Sequence, residues 1–154
     1  LKLADVLTPN ETEFAALLGR HVGERVESDD VAALDGASLH DLCRKLSSAT
    51  VVVTLGAVGV FVSHAPERLR GDTQPYYRIA AESVQAIDTT GAGDIFGGSA
   101  MARLLELAKP IDALKPEDLA YIGTFAATAA SLSTEHSGGI PSIPNKDAVL
   151  EAMG

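Results

Sequence analysis

Asp88-Thr89-Thr90-Gly91-Ala92-Gly93-Asp94 sets a glycine turn, with its bare backbone amides, directly before a carboxylate. Those residue types in that order suit phosphoryl transfer. Glycines accept backbone angles that Cβ-bearing residues avoid, so the N–H groups of Gly91 and Gly93 can converge on an anion. Ile95, Phe96, Met101, Leu104 and Leu105 follow at roughly helical spacing, which predicts a helix whose positive end meets the phosphate oxygens. Asp94 falls in the first turn of that helix. There a carboxylate accepts a proton from an attacking hydroxyl while the amides hold the transferring group.

Two other glycine motifs do not fit. A Walker loop ends in Gly-Lys-Ser/Thr, and no lysine lies between Lys45 and Lys109. A dinucleotide-binding fingerprint needs its third glycine three residues after the second; Phe96 stands there and Gly97 comes one step late. A purely structural reading stays open, in which Gly91 and Gly93 tighten a strand-to-helix turn and Asp94 is an acid at a helix start.

The elements that must position this turn follow from periodicity and breakers. Ala4 to Leu7 reads as a strand end. Thr8-Pro9-Asn10-Glu11 resembles a capping box, with Thr8 as cap, Pro9 as first helical residue and Glu11 reaching back, ahead of a helix to about Leu18. Gly19 to Gly36 is polar, a loop with a helical piece, and Ser38 to Leu46 is an amphipathic helix. Thr50 to Leu55 is a β-branched run suited to a buried strand, turned by Gly56-Ala57-Val58-Gly59 into a second strand, Val60 to Ser63.

After a loop from His64 to Pro75, Tyr76 to Ile79 and Val84 to Ile87 read as short strands leading into the glycine turn. Helices are predicted over Gly93 to Leu107 and Pro116 to Leu132, the second with a close-packing face of Leu119, Ile122, Gly123, Ala126, Ala127 and Ala130. Asn145 caps a last short helix whose Val149 and Leu150 dock back. Strand-helix alternation without repeat or linker predicts one α/β layer structure with a largely parallel sheet.

At 154 residues and 46% apolar side chains the chain is long enough for one domain with a sizeable core, and no run reaches the ~18 apolar residues of a membrane span. A net charge of −9 disfavours non-specific nucleic-acid binding, while an acidic enzyme still takes ATP through magnesium and local amides. Cys43 lies at helical spacing with Leu39, Leu42 and Leu46 and reads as a buried structural thiol. His21, His40, His64 and His136 show no metal-ligand spacing and read as surface or loop residues. The opening Leu1-Lys2-Leu3 reads as an internal start; with no signal sequence, the expectation is a cytoplasmic protein.

The string Asp88 to Asp94, followed by Phe96 and Gly98, resembles the C-terminal signature of the ribokinase-like sugar kinases, the PfkB carbohydrate kinase family. Thr8-Pro9-Asn10-Glu11-Thr12-Glu13 is similar to that family's Asn-x-x-Glu region. Thr54-Leu55-Gly56-Ala57-Val58-Gly59 is similar to its nucleotide-side strand and turn. Order and spacing agree across all 154 residues. Since family members are about twice this length, the resemblance implies that residues 1–154 are the C-terminal nucleotide-binding and catalytic portion, without the N-terminal substrate and lid part. It implies a ribokinase-like, Rossmann-type layered sheet with helices on both faces.

The resemblance also implies roles. Asp94 is the general base for a sugar hydroxyl, and Gly91, Ala92 and Gly93 form an anion hole for the γ-phosphate. Thr54, Gly56 and Gly59 border the nucleotide. Ala127 stands where many relatives place an Asn or His facing the adenine. Asn10 and Glu13, three apart, organise Mg²⁺ through its water shell, with Glu11 serving the cap and Glu13 left free. Asp88 and Thr90 belong to a potassium loop completed by the Ser137-Gly138-Gly139 segment and by Ser142. The expected reaction is ATP-dependent phosphorylation of a sugar primary hydroxyl, ribose first, with fructose or another PfkB substrate next. The partners are sugar and ATP, with a homodimer in the full-length protein. A non-catalytic nucleotide-binding fragment, or a subunit completed by a partner half, is the alternative of another class.

Overall fold

The computed structural model describes residues 1–69 and 71–154, with Asp112 known by its backbone alone. Where the sequence predicts one domain, the chain divides into two compact units, Leu1–Arg78 and Ile79–Gly154. The first carries β1 (Val6–Leu7), α1 (Glu11–His21), α2 (Ser28–Val31), α3 (Gly36–Leu46), β2 (Thr50–Thr54) and β3 (Val60–Ser63), and the boundary falls within β4 (Tyr76–Ile79). The second carries α4 (Ala92–Leu107), α5 (Pro116–Ser133) and α6 (Lys146–Met153).

The sheet runs β1-β2-β3-β4. β1 is parallel to β2, with Val6 opposite Thr50, but β2 and β3 are antiparallel, with Val51 opposite Ser63. The sheet is therefore mixed rather than largely parallel. The connection is too short for a crossover: a single 3₁₀ turn, Gly56–Val58, reverses the chain, and Gly59 closes it with φ 109. Val51 and Val53 face the core at period two, and all of β3 is buried. Val51, Val53 and Phe61 pack with Phe14 and Leu18 of α1 and with Leu39, Leu42, Cys43 and Leu46 of α3. Each such buried side chain contributes on the order of 1.5–3 kcal/mol.

The start of α1 corrects the predicted cap. Pro9 O accepts from Thr54 N at 3.0 Å and Asn10 bridges Thr54, so the chain stays beside β2 two residues longer and Asn10, extended at φ −81 and ψ 178, becomes the cap. Glu13, not Glu11, closes the box: Asn10 Oδ1 accepts from Glu13 N at 2.8 Å and Glu13 Oε2 from Asn10 N at 3.0 Å.

Two histidines expected at the surface are drawn inward. His64 is buried, its Nδ1 3.1 Å from Thr50 Oγ1. His40 is half-buried, its Nδ1 2.8 Å from Ser63 Oγ, which also accepts from Arg44 Nε at 3.1 Å. Arg44 ties α3 to the sheet further by donating to Ala49 O and Ser63 O. Cys43 is fully buried as predicted, and burial pushes its thiol up to about 12.

In the second unit α4 packs along α5, and α6 packs on α5. Ile95, Phe125, Ala129 and Val149 form the core, with Leu132 and Met153 against it. Ile122, Ala126 and Ala127 are buried as their face predicts, and Asn145 caps α6 by accepting from Ala148 N. Leu150, predicted to dock with Val149, is exposed, because a helix of eight residues turns only one narrow stripe inward. Arg103 is buried over the Phe125 ring, 4.6 Å from its centroid, and pairs through both terminal nitrogens with Glu106, which also accepts from Lys146 at 2.9 Å. Among the described residues, no helix is long and apolar enough to cross a membrane.

Candidate active site

The segment before the glycine turn is irregular, and Val84 to Ile87 form no strand, contrary to the sequence expectation. The amides of Ile87 and Asp88 both donate to Thr134 O, at 2.7 and 3.0 Å, so the last turn of α5 satisfies this backbone in place of a ladder. The glycine turn thus enters α4 from a loop pinned to α5.

Gly91 is the cap of α4, left-handed at φ 79 and ψ 0. A side chain there would be strained, and a Cβ would lie 3.4 Å from Gly139 Cα. Gly93 differs from the expectation: it is helical, and a Cβ on it would meet no atom within 4 Å. Ala92 N donates to Thr89 O at 3.2 Å, while Ile95 N begins the helical ladder on Gly91 O at 2.9 Å. Among the described residues the amides of Gly93 and Asp94 have no backbone acceptor, as the first turn of a helix dictates. Asp94 is exposed and makes no hydrogen bond or ion pair among the described residues. Its carboxylate is therefore open to an incoming group.

Each oxygen of Asp88 accepts one backbone amide. Oδ1 accepts from Thr90 N and Oδ2 from Gly138 N, both at 2.9 Å. The bond from Gly138, then those from Thr90, hold this carboxyl down to about 2. Ser142 is buried, and its Oγ donates to Gly139 O at 2.7 Å. Asp88, Thr90, Gly138 and Ser142 thus lie along one connected set of loop contacts in the second unit. Ala127 is buried in α5 beside Phe125 and Ala126. Sequence reasoning missed Thr134 as a partner of the turn, for nothing local marks a contact made across more than forty residues.

The remaining candidates lie in the first unit. Thr54 ends β2 beside Asn10, and a Cβ on Gly56 would lie 3.7 Å from Glu11 Oε1, so the end of β2, its turn and the start of α1 are neighbours. Gly56 and Gly59 both have positive φ, 53 and 109, which the hairpin alone requires. A groove of about 490 Å³ runs along α1, lined by Leu7, Thr8, Pro9, Glu13, Ala16, Leu17 and Arg20; Glu13 is the one candidate on its wall. Asn10 and Glu13 have one oxygen each committed to the capping box, leaving Glu13 Oε1 outside it. No group of three or more His, Cys, Asp or Glu side chains able to hold a metal ion occurs among the described residues. A divalent ion here would need phosphate and water oxygens besides protein.

A ribokinase of Haemophilus influenzae is 38% identical over 154 residues, covering 99% of this chain and 42% of that protein. A fructokinase of Klebsiella pneumoniae is 32% identical, with 99% and 42% covered. The structure of Giardia lamblia ribokinase superposes with a TM-score of 0.76 at 28% identity, covering 99% of this chain and 44% of that one. That of Arabidopsis thaliana ribokinase, complexed with ribose and ATP, gives 0.68 at 27%, with 97% and 40% covered. The chain therefore has the ribokinase-type α/β fold and spans less than half the length of these relatives. The pattern of the pfkB family carbohydrate kinases matches residues 1–146, from the first strand to the start of the last helix, and this chain belongs to that family.

Proposed function

We propose that residues 1–154 are the nucleotide-binding and catalytic portion of an ATP-dependent sugar kinase, acting on a primary hydroxyl. The observation that carries this is an exposed Asp94, without a partner among the described residues, three residues after a left-handed glycine cap, with the amides of Gly93 and Asp94 open at the start of a sixteen-residue helix. Asp94 takes the proton of the attacking hydroxyl. The amides at Gly91, Ala92 and Gly93 face the charge that develops on the transferring phosphoryl group; because Ala92 N also bonds Thr89 O, Gly93 N and its neighbour carry the larger share. Thr54, Gly56 and Gly59 border the nucleotide, and Ala127 offers no side-chain hydrogen bond to its base.

Asn10 and Glu13 would hold Mg²⁺ through water, Glu13 by its remaining oxygen. When bound, the ion neutralises phosphate charge. Asp88, Thr90, Gly138 and Ser142 would hold K⁺ chiefly by backbone carbonyl and hydroxyl oxygens, since both Asp88 oxygens already accept amides. Ribose is the favoured substrate, supported by the ribokinases of Haemophilus influenzae and Arabidopsis thaliana among the relatives; the Klebsiella pneumoniae fructokinase supports fructose as the second choice. The reading carries a cytoplasmic location with it.

The test is sugar-dependent ADP release, with ribose and with fructose, by the protein and by Asp94→Asn. The substitution is expected to cut turnover by at least ~10²-fold, the loss of a general base, with ATP binding and thermal stability retained. Near-normal turnover removes Asp94 from the chemistry. Nucleotide binding with no sugar-dependent turnover in the parent favours instead a non-catalytic nucleotide-binding fragment, or a subunit completed by a partner.

A further inference from the structure

Asp88 stands six residues before the candidate base and fifty before Gly138, yet its carboxylate joins the two places. One oxygen accepts from Thr90 N, inside the turn, and the other from Gly138 N, both at 2.9 Å. Three further contacts run the same way. Asp88 N and Ile87 N share Thr134 O, Gly91 and Gly139 approach so closely that a Cβ on the former would lie 3.4 Å from the latter, and buried Ser142 fixes Gly139 by donating to its carbonyl.

Taking the kinase reading above as given, we propose that Asp88 is a positioning residue that latches the glycine turn to the 137–142 loop, so that the amides after Thr90 are held toward the transferring phosphoryl group. A carboxylate is suited to this because it offers two acceptors and no donor, and each faces an N–H. Asparagine keeps one acceptor and turns an NH₂ toward the other amide, which releases one end of the latch. Because the turn and the loop share this carboxylate, a shift of the loop moves the amides, and misplacement of about 1 Å at such a site costs roughly 10²-fold in rate.

The experiment compares wild type, Asp88→Asn, Asp88→Ala and Asp94→Asn by amide hydrogen exchange at Thr90 and Gly138 and by kcat and KM for sugar and ATP. In wild type both amides exchange slowly. Asp88→Ala is expected to free both amides and Asp88→Asn one of the two, each lowering kcat ~10- to 100-fold with the sugar KM unchanged. Asp94→Asn is expected to lower kcat with Gly138 still protected, which separates the latch from the base. Unaltered exchange in Asp88→Ala overturns the latch, and lost protection with an unaltered kcat overturns its positioning role. If wild type transfers no phosphate, the kinase reading fails. Gly138 protection that Asp88→Ala removes still supports the latch in that case, and its persistence refutes it.

Discussion

Gly91 and Gly93 look equivalent in the sequence and are not in the structure, so alanine at each should give opposite results. At Gly91 the backbone is left-handed, φ 79, where a Cβ costs about 1–2 kcal/mol, and the new methyl sits 3.4 Å from Gly139 Cα, a contact already tight. Gly91→Ala should therefore destabilise by about 1–2 kcal/mol. For a chain of this length that lowers Tm by roughly 2–8 °C. Gly93 is already helical and a Cβ there meets nothing within 4 Å; alanine is worth up to ~1 kcal/mol over glycine in a helix, so Gly93→Ala should leave Tm unchanged or raise it by a few degrees.

Function should divide the other way. Open space beside Gly93 is where the proposed anion approaches, so its methyl acts on the ligand and spares the fold. Thermal unfolding by circular dichroism, with ATP titration by calorimetry on the same samples, reads both. Expected for Gly93→Ala is a parent-like or higher Tm with ATP binding weakened at least ~10-fold, the loss of one or two charge-assisted amide contacts. A Gly93→Ala variant that binds ATP like the parent refutes the phosphate cradle. A Gly91→Ala variant with parental Tm refutes the conformational argument at the cap.

Other outcomes follow from single residues. Ala108 ends α4 at φ 49, exposed and left-handed without being glycine; Ala108→Gly should stabilise by about 0.5–1 kcal/mol, read as a higher urea midpoint at unchanged slope. Cys43, buried with its thiol near 12, should resist a thiol reagent at pH 8 in the native protein and react at once in denaturant; rapid native labelling would contradict its place in the core. His40 is held below its ordinary 6.5, first by burial and then by the Arg44 charge, with Asp41 opposing. Its unfolded form therefore takes up protons first on acidification. The stability it contributes is complete above 6.5 and declines as pH falls toward its folded value, so the denaturation midpoint should drop below pH 6.5, less so in His40→Gln, with the ring midpoint visible by NMR.

How far the sequence was legible depended on the range of the interactions. The α3 stripe of Leu39, Leu42, Cys43 and Leu46, the alternating Val51 and Val53 and the limits of β4 are local patterns, and they appear in the structure within two residues of where they were read. The cap of α1 was not local. Thr8 has the better capping composition with Pro9 behind it, but the bond from Thr54 N to Pro9 O is made across 45 positions and holds the chain extended until Asn10. The same holds for Val84 to Ile87, whose β-branched ends look like a strand while the amides of Ile87 and Asp88 find Thr134 O. His64 was misread because a loop boundary in sequence, directly after β3, proved to be an interior position against Thr50.

The candidate site shows the same division and gives it a chemical meaning. Residue types that do chemistry, Asp94 and the glycines before it, were visible because a base and an anion cradle need particular atoms at adjacent positions. What holds those atoms in place, the Asp88 latch and the Gly91–Gly139 approach, uses backbone N–H and Cα groups that every residue possesses, and so leaves no signature of its own. Asp88 is the exception that proves informative. It was read as an oxygen donor to a cation, yet both its oxygens are occupied by amides, at 2.9 Å each. A carboxylate carries further lone pairs beyond the two it spends there, so an ion and the latch are compatible only if the ion approaches without displacing either N–H. The cation and the backbone therefore compete for, or share, one side chain, and any monovalent ion that alters turnover should also alter exchange at Gly138.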